Sequence, residues 1–224
     1  METIKEFYSN LKFPGPYTIK DLEFYDELVC NKYLDIFDKH VTGASTVLDV
    51  GCGSGFIVNF LAKRHPTIQF HAIDFSDSID YAIDFSNKHD IKNIKYFKED
   101  FLEWQSRMSY DVVLCNGVLH HIPKYKFAVE KLKSLVNNKL ILGVYNPYGK
   151  LFKKFLKVKY TNLVLYSDQE ECPFELTFDH KDVIMMINNF TLTLVHPSYK
   201  NFGIDFNNVF NYKNGGLTVY VFKQ

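Results

Sequence analysis

The segment from Leu48 to Gly55, which reads LDVGCGSG, constrains the fold more than any other part of the sequence. It overlaps the end of a short apolar run at 46–50, and a run with helical spacing begins directly after it at Phe56. Glycines let the backbone turn tightly and approach a ligand, because they carry no Cβ. The N-terminus of the following helix offers free N–H groups to an acceptor such as a carboxylate. The segment therefore predicts a strand-to-helix turn at a ligand site, and the alternative is a turn with a purely structural role.

The spacing of the glycines argues against a dinucleotide as the ligand. A dinucleotide fingerprint reads G-x-G-x-x-G and would place its third glycine at position 56, where this sequence has Phe56. The third glycine of the segment is Gly55 instead. A pyrophosphate site is therefore the poorer match.

Strand-like and helix-like runs alternate from residue 46 onward. The pattern predicts strands at 46–50, 69–73, 94–97, 110–115 and 140–145, and helices at 56–63, 78–88, 124–136 and 181–189. Alternation of this kind implies right-handed βαβ units and a parallel sheet. The last two strands, 191–195 and 217–222, have only loop between them and should pair antiparallel. The prediction is a doubly wound α/β fold with a seven-stranded, mostly parallel sheet, five parallel strands plus a C-terminal antiparallel pair, and helices on both faces.

The domain organisation follows from the same pattern. We expect residues 43–224 to form one domain and residues 1–42 to form a helical lid or cap, in which apolar residues recur at helical spacing between Leu22 and Phe37. The stretch at about 145–180 is long for a simple connection, so we expect a substrate-side insertion there.

Charge and cysteine content give no global sign of a nucleic-acid, membrane or metal partner. The 224 residues include 26 Lys and Arg and 26 Asp and Glu, so no net charge attracts the chain to nucleic acid or to an anionic membrane. The four cysteines form no CxxC pair or Cys/His spacing, so we expect reduced thiols and no metal site. The polar N-terminus lacks an apolar signal region, and no apolar run approaches the ~20 residues that span a bilayer. We expect a cytoplasmic protein without stable membrane insertion.

Polar side chains follow the second, third and fourth predicted strands. Asp74 ends the second strand, Asp100 and Phe101 follow the third, and Asn116 ends the fourth. Ligands of open α/β sheets bind at this carboxyl edge, where a carboxylate such as Asp74 can accept hydrogen bonds from ribose hydroxyls. Asp100 could accept from an adenine amino group while Phe101 packs on the ring. The alternatives are a helix cap for Asp74 and a plain loop carboxylate for Asp100.

Together these pieces resemble the class I S-adenosylmethionine-dependent methyltransferases, and most of all the small-molecule branch with a His-His pair after the fourth strand. The matching segments are LDVGCGSG, IDFS at 73–76, EDF at 99–101 and NGVLHHI at 116–122. The resemblance implies S-adenosyl-L-methionine as the cofactor and S-adenosyl-L-homocysteine as the product. The family's glycine-containing turn before the fifth strand corresponds to VNNK at 136–139, where an Asn can adopt a positive φ.

The resemblance also assigns roles to single residues. Three glycines of the turn approach the methionine part of the cofactor, and Asp49 helps to hold its ammonium group. Asp74 takes the ribose, and Asp100 with Phe101 takes the adenine. The predicted cofactor-binding residues are Asp49, Gly51, Cys52, Gly53, Gly55, Asp74, Phe75, Asp100, Phe101 and Asn116.

Methyl transfer from a sulfonium is a direct displacement at carbon, so the protein mainly aligns the acceptor and excludes water. A general base helps when the acceptor is a hydroxyl or a protonated amine, and imidazole suits that role. His120, His121 and Tyr17 are the catalytic candidates, and Tyr17, His121, Tyr145 and Asn146 are the candidates for acceptor binding. Each has a structural alternative: a cap or sheet contact for the histidines, an aromatic staple for Tyr17, and a strand-end turn for Tyr145 and Asn146.

Three functions remain open at this stage. The first is a methyltransferase that acts on an oxygen or nitrogen of a small molecule, as a monomer or homodimer, without a nucleic-acid partner. The second is a methyltransferase of tRNA or another nucleic acid, with Lys124–Lys139 and Lys150–Lys159 as a phosphate track. The third is a catalytically silent cofactor-binding subunit.

Overall fold

The computed structural model describes residues 3–11, 15–24, 31–147, 172–196 and 217–224, and they form one seven-stranded sheet in the order β3-β2-β1-β4-β5-β7-β6. The first five strands pair in parallel, and β7 pairs antiparallel with both β5 and β6. This arrangement confirms the predicted fold class. The strands are β1 Thr46–Val50, β2 Gln69–Ile73, β3 Ile94–Phe97, β4 Tyr110–Asn116, β5 Val136–Tyr145, β6 Thr191–His196 and β7 Leu217–Lys223.

The helices of the described residues fall where apolar residues recur at helical spacing. A short 3₁₀ helix, Leu119–His121, follows β4. The α-helices are α1 Ile4–Leu11, α2 Ile19–Glu23, α3 Asn31–Val41, α4 Phe56–Arg64, α5 Ser78–Lys88, α6 Tyr125–Leu135 and α7 His180–Met186. Residues 25–30 of the predicted run from Leu22 to Phe37 lie outside the described residues.

The sheet separates two hydrophobic cores. Alternate side chains of β1 point to opposite faces, with Val47 packing among residues of α3, α4 and α5, and with Leu48 and Val50 packing among residues of α6 and α7. These three side chains have no exposed surface. Full burial of a side chain of this size stabilises the fold by roughly 1.5–3 kcal/mol, so the paired cores hold β1 rigidly at the centre of the sheet.

The start of β5 differs from the prediction. The segment 136–139 is not a turn before the strand but its first four residues, and β5 runs from Val136 to Tyr145. The irregularity lies in the pairing with β4, where Tyr110 pairs with Val136 but Val112 pairs with Lys139. This bulge absorbs the extra residue of β5. The positive φ expected at an Asn of this segment is wrong, because among the described non-glycine residues only Asp90 has a positive φ.

Helix α1 lies against the start of α5. The hydroxyl of Ser78 donates to the backbone carbonyl of Tyr8 at 2.7 Å, and the N–H of Asp77 donates to the hydroxyl of Ser9 at 3.0 Å. Phe7, which belongs to this helix, is buried. These contacts bring the N-terminal segment to the carboxyl edge of the sheet, next to the turn between β1 and α4.

Several expectations fall wholly or partly outside the described residues. The lysine-bearing segment 150–159 and most of the insertion at 145–180 are among them. No helix within the described ranges is long and apolar enough to cross a membrane. The side chains that the structure describes form no cluster of His, Cys, Asp or Glu suited to a metal ion.

Candidate functional site

A pocket opens at the carboxyl edge of the sheet, where the strand order reverses between β1 and β4. This is the position at which doubly wound sheets bind ligands. The structure brings most of the predicted site residues into its lining: Asp49, Gly51, Cys52, Gly53, Asp74, Phe75, Asp100, Phe101, Asn116, His121 and Tyr145.

The glycine turn is fixed in a conformation that only glycine adopts readily. Gly51, Gly53 and Gly55 have φ of 71°, 54° and 83°. A Cβ on Gly51 would lie 2.3 Å from a methyl carbon of Val118, so the loop after β4 packs directly on the turn. The N–H groups of Gly51 and Cys52 donate to the carbonyl of Ile73 at 2.7 and 3.1 Å, which ties the turn to the end of β2.

The carboxylate of Asp74 is held at the pocket by three donors. One oxygen accepts the N–H of Gly53 at 2.8 Å, and the other accepts the N–H and the hydroxyl of Ser76 at 2.8 and 2.6 Å. Burial raises the pKa of Asp74, and the hydrogen bonds from Ser76 and Gly53 oppose that shift. The group is therefore oriented by backbone and hydroxyl donors, with oxygen lone pairs left for a ligand.

Asp49 is the second buried acid of the pocket. Its side chain is 4% exposed, and burial together with the nearby charge of Asp74 raises its pKa to about 7. Two carboxylates that repel each other in a low-dielectric site favour a bound cation. This part of the pocket is therefore suited to a positively charged ligand group.

Asp100 and Phe101 form the far end of the pocket beyond β3. The carboxylate of Asp100 is exposed and accepts the N–H of Leu102 at 2.8 Å. The ring of Phe101 is buried, and the ammonium nitrogen of Lys131 lies 5.1 Å from its centre. An apolar ring beside an exposed acceptor suits a flat, polar-edged group such as a purine.

The ring of His121 is oriented by hydrogen bonds at both nitrogens. Nδ1 lies 3.0 Å from the carbonyl oxygen of Phe174, which can only accept, so Nδ1 carries the proton of the neutral ring. Nε2 is then an acceptor, and it lies 2.8 Å from the hydroxyl oxygen of Tyr8, which donates to it. The thiol of Cys172 lies 3.3 Å from Nδ1. The arrangement leaves Nε2 as the basic nitrogen of the ring, hydrogen-bonded to Tyr8 at the pocket.

Two predicted site residues, Tyr17 and Gly55, lie outside the pocket lining. Tyr17 is buried, donates to the carbonyl of Ser54 at 3.0 Å and accepts from the amide of Asn59 at 2.9 Å. Gly55 faces helix α5, where an added Cβ would lie 2.5 Å from the side chain of Ala82. Both residues therefore support the turn from behind, outside the pocket lining.

Two residues near His121 also point away from the pocket. His120 is fully buried, stacks on Tyr145 at 4.0 Å between ring centres, and accepts the N–H of Tyr145 at 3.3 Å. Asn146 is buried and donates to the hydroxyl of Thr218 at 2.8 Å. Adjacent side chains of the histidine pair face different ways, so the structure supports a pocket role for His121 and a sheet-anchoring role for His120.

Sequence reasoning missed the residues that close the pocket from the N-terminal side. Ile4, Tyr8 and Tyr33 line it, together with Val118 and Leu217. Tyr8 and His121 are 113 positions apart, and no local pattern connects them. The one available signal is that Ile4, Phe7, Tyr8 and Leu11 share a face of a short amphipathic helix.

Part of the chain matches a known protein family. Residues 48–139, which hold the turn, β2 to β4 and α6, match the family model described as a methyltransferase domain. Over these residues the chain is similar to the class I S-adenosylmethionine-dependent methyltransferases. The match includes every acidic residue of the pocket and the histidine pair.

Relatives with named activities match this chain over part of their length. A probable (S)-tetrahydroprotoberberine N-methyltransferase 2 of Papaver bracteatum is 24% identical over 132 residues, which cover 58% of this chain and 35% of that protein. A malonyl-[acyl-carrier protein] O-methyltransferase of Acetivibrio thermocellus is 26% identical over 70% of this chain and 55% of that protein. The chain therefore spans about a third to about half of the length of these two relatives.

Solved structures share the fold of this chain. The N-methyltransferase NodS of Bradyrhizobium japonicum, in complex with S-adenosyl-L-homocysteine, superposes with a TM-score of 0.66 at 13% identity, covering 100% of this chain and 99% of that one. At this identity the likeness concerns the fold.

The pocket fits the cofactor of this class of methyltransferase. Asp49 and Asp74 supply buried negative charge and acceptors for an ammonium group and a diol. The side-chain oxygen of Asn116, also in the lining, has no hydrogen-bond partner among the described residues. A buried acceptor of this kind is costly unless a ligand donor or water satisfies it, so the donor set of the site suits a cofactor that carries cations and hydroxyls.

Proposed function

We propose that this chain transfers a methyl group from S-adenosyl-L-methionine to an oxygen or nitrogen of a small-molecule acceptor. The observation that carries the proposal is that one pocket joins the glycine turn and the acidic strand ends to His121, whose Nε2 is an acceptor. The names of the O- and N-methyltransferases among the relatives support the same class of reaction.

The residues of the turn and of β2 would hold the cofactor. Asp74 would accept the ribose hydroxyls, with Gly53 and Ser76 keeping its oxygens in place. Asp49 and Asn116 would face the ammonium group of the methionine part. Phe75, Asp100 and Phe101 would surround the adenine at the far end of the lining.

When bound, the cofactor supplies a methyl group on a positively charged sulfur, which is already activated for displacement. The chain then has to place the acceptor in line, exclude water and remove a proton. His121 is suited to the last task, because Phe174 fixes the ring with Nε2 unprotonated. Tyr145 lies on the same side of the pocket, with its ring 6.2 Å from that of His121, and would contact the acceptor.

The rest of the pocket lining is mostly apolar. Ile4, Tyr33, Ile57, Ile122 and Leu217 line it, together with the aromatic residues named above. A lining of this kind favours an acceptor with a ring or an aliphatic body and one reactive heteroatom.

The structure gives no specific support to a nucleic-acid substrate. Segment 150–159 lies outside the described residues. Within 124–139, Lys131 and Lys139 donate to backbone carbonyls and Lys133 pairs with a neighbouring glutamate, so three of the five ammonium groups are already engaged. The other two lysines of the segment, Lys124 and Lys126, are exposed. A phosphate track would need lysines that are free to contact phosphates.

The experiment is an acceptor screen with purified protein, using a panel of small phenols, carboxylic acids and secondary amines and following formation of S-adenosyl-L-homocysteine. In the variant His121→Asn the amide can still donate to Phe174, but it lacks Nε2. We expect turnover of at least one acceptor by the wild type and a loss of about 100-fold or more in kcat for the variant, because a general base contributes roughly 10²–10⁴-fold.

The matched control is His89→Asn, at the end of α5 and outside the pocket lining. It should keep the wild-type kcat. Cofactor binding should be equal in all three proteins. Absence of methyl transfer to every class of acceptor, in a protein that binds the cofactor, would contradict the proposed reaction.

A further inference from the structure

Tyr8 separates the basic nitrogen of His121 from the rest of the pocket. Its hydroxyl donates to Nε2 at 2.8 Å, and its ring meets the imidazole edge to face with 5.4 Å between centres. Both residues line the pocket. A proton that leaves a group in the pocket therefore meets the phenol oxygen of Tyr8 on the way to Nε2.

The hydroxyl of Tyr8 is not needed to hold its helix in place. Helix α1 is fixed through the backbone carbonyl of Tyr8, which accepts the hydroxyl of Ser78, and through Ser9, which accepts the N–H of Asp77. The ring also packs edge to face on Phe7, with 5.1 Å between centres. Packing and helix docking would survive loss of the hydroxyl, whereas the bond to His121 would not.

The imidazole is prepared to receive a proton at Nε2. The carbonyl of Phe174 holds the proton on Nδ1, so the ring cannot change tautomer without losing that hydrogen bond. Protonation at Nε2 gives an imidazolium whose Nδ1–H still points at the carbonyl. A proton can therefore pass from the phenol of Tyr8 to Nε2 of His121, while Nδ1 keeps its own proton.

We propose that Tyr8 is a catalytic residue that relays the proton of the acceptor to Nε2 of His121. This inference rests on the proposed function and assigns the proton path within it. The relay also depends on the N-terminal helix, because Tyr8 reaches His121 only while α1 lies against α5.

The acceptor of the proposed step carries an O–H or N–H group. The lone pair of the heteroatom forms the bond to the methyl carbon, and the carbon–sulfur bond breaks with its electron pair on sulfur, which becomes a neutral thioether. The proton of the acceptor passes to the phenol oxygen of Tyr8 as the phenol proton passes to Nε2. The imidazolium of His121 returns its proton to solvent when the products leave.

The test compares Tyr8→Phe with Tyr125→Phe, in which a tyrosine on helix α6, outside the pocket lining, loses its hydroxyl. The probe is whichever phenol or amine of the panel the wild type methylates. We expect Tyr8→Phe to lower kcat by about 10- to 100-fold, within the range of proton-transfer catalysis, with KM and cofactor affinity unchanged. Tyr125→Phe should leave kcat close to the wild-type value.

A double variant identifies the path. Because Tyr8 acts through His121, Tyr8→Phe in the His121→Asn background should cause no further loss of kcat. Long-range ¹H–¹⁵N spectra of the histidine rings should show His121 as the Nδ1–H tautomer in the wild type, with the Nε2 signal shifted in Tyr8→Phe. Additive losses, or an unshifted Nε2 signal, would overturn the relay.

A second substitution guards against a misfolded Tyr8→Phe protein. Tyr8→3-fluorotyrosine keeps the ring and the hydroxyl but makes the phenol more acidic, so a relay predicts a changed kcat and an unchanged thermal midpoint. Equal kcat for the fluorinated and natural proteins would overturn the proposal. Failure of the relay alone leaves wild-type turnover intact, whereas failure of the proposed function leaves the wild type without turnover.

Discussion

Asp49 combines deep burial with a second acid close enough for their charges to repel. Burial and Asp74 raise its pKa to about 7, and burial also raises the pKa of Asp74. Without a bound cation, the folded chain therefore retains protons in the pocket that an exposed carboxyl would have lost. The site is suited to a cation, and its charge state depends on pH near neutrality.

This charge state predicts a dependence of stability on pH. The ordinary pKa of an aspartate is 3.8 and that of buried Asp49 is about 7, so between these values the folded protein binds more protons than the unfolded chain. The contribution of Asp49 to the free energy of unfolding of the cofactor-free protein should therefore decrease as the pH rises from about 5 to about 8. Urea unfolding at the two pH values measures it.

The variant Asp49→Asn is the control for this prediction, because its amide cannot ionise. Its free energy of unfolding should change less over the same pH range, with a remainder from Asp74, whose pKa is also raised. An equal slope in wild type and variant would show that Asp49 does not hold the proton.

At the scale of elements, the turn between β1 and α4 depends on a buried network behind it. Tyr17 donates to the carbonyl of Ser54, accepts from Asn59, and packs on Phe56 and Phe85. Residues 15–24 thus fix the backbone of the turn without contacting the pocket. Burial raises the pKa of Tyr17 far above the ordinary value for a tyrosine, which argues against a role in proton transfer.

We predict that Tyr17→Phe destabilises the protein. It leaves the buried amide of Asn59 and the carbonyl of Ser54 without this partner, which should cost about 1–3 kcal/mol in the free energy of unfolding. Tyr125→Phe, on helix α6 and outside this network, should cost less. Under conditions where both variants are folded, kcat should match the wild type; a large loss of kcat without a loss of stability would favour the catalytic role first expected for Tyr17.

The elements themselves were predictable because their signals are local. Period-two and helical patterns predicted each strand to within a few residues, apart from β5, whose first four residues were assigned to a turn. The error arose because Asn137 and Asn138 favour turns on their own, while their pairing with β4 is a tertiary interaction. The strand-end acids and the glycine turn were predictable for a related reason, since topology places all strand ends at one edge.

Contacts between distant parts of the chain were not predictable. Tyr8 and His121 meet because α1 docks on α5, and nothing in the sequence near either residue specifies that docking. The same holds for the different orientations of His120 and His121, which the short 3₁₀ helix sets. Side-chain roles within a motif therefore required the three-dimensional structure.

At the scale of the molecule, the reversal of strand order between β1 and β4 creates one pocket with two ends. The proposed cofactor end is built from β1, β2 and β3, and the proposed acceptor end from the histidine loop, β5, β7 and helix α1. The cofactor end lies almost entirely within the family match at 48–139, whereas much of the acceptor end lies outside it. Many of the residues that would select the acceptor therefore lie outside the family match.

The most direct measurement is a calorimetric titration of the purified protein with S-adenosyl-L-methionine, run with Asp74→Ala and Asp77→Ala. Asp77 is three positions away, exposed, paired with Lys98 and outside the pocket lining. We predict saturable one-to-one binding by the wild type and by Asp77→Ala, and loss of binding in Asp74→Ala, because the ribose loses its acceptor. Equal binding by all three proteins, or none by the wild type, would contradict the assignment of this pocket as the cofactor site.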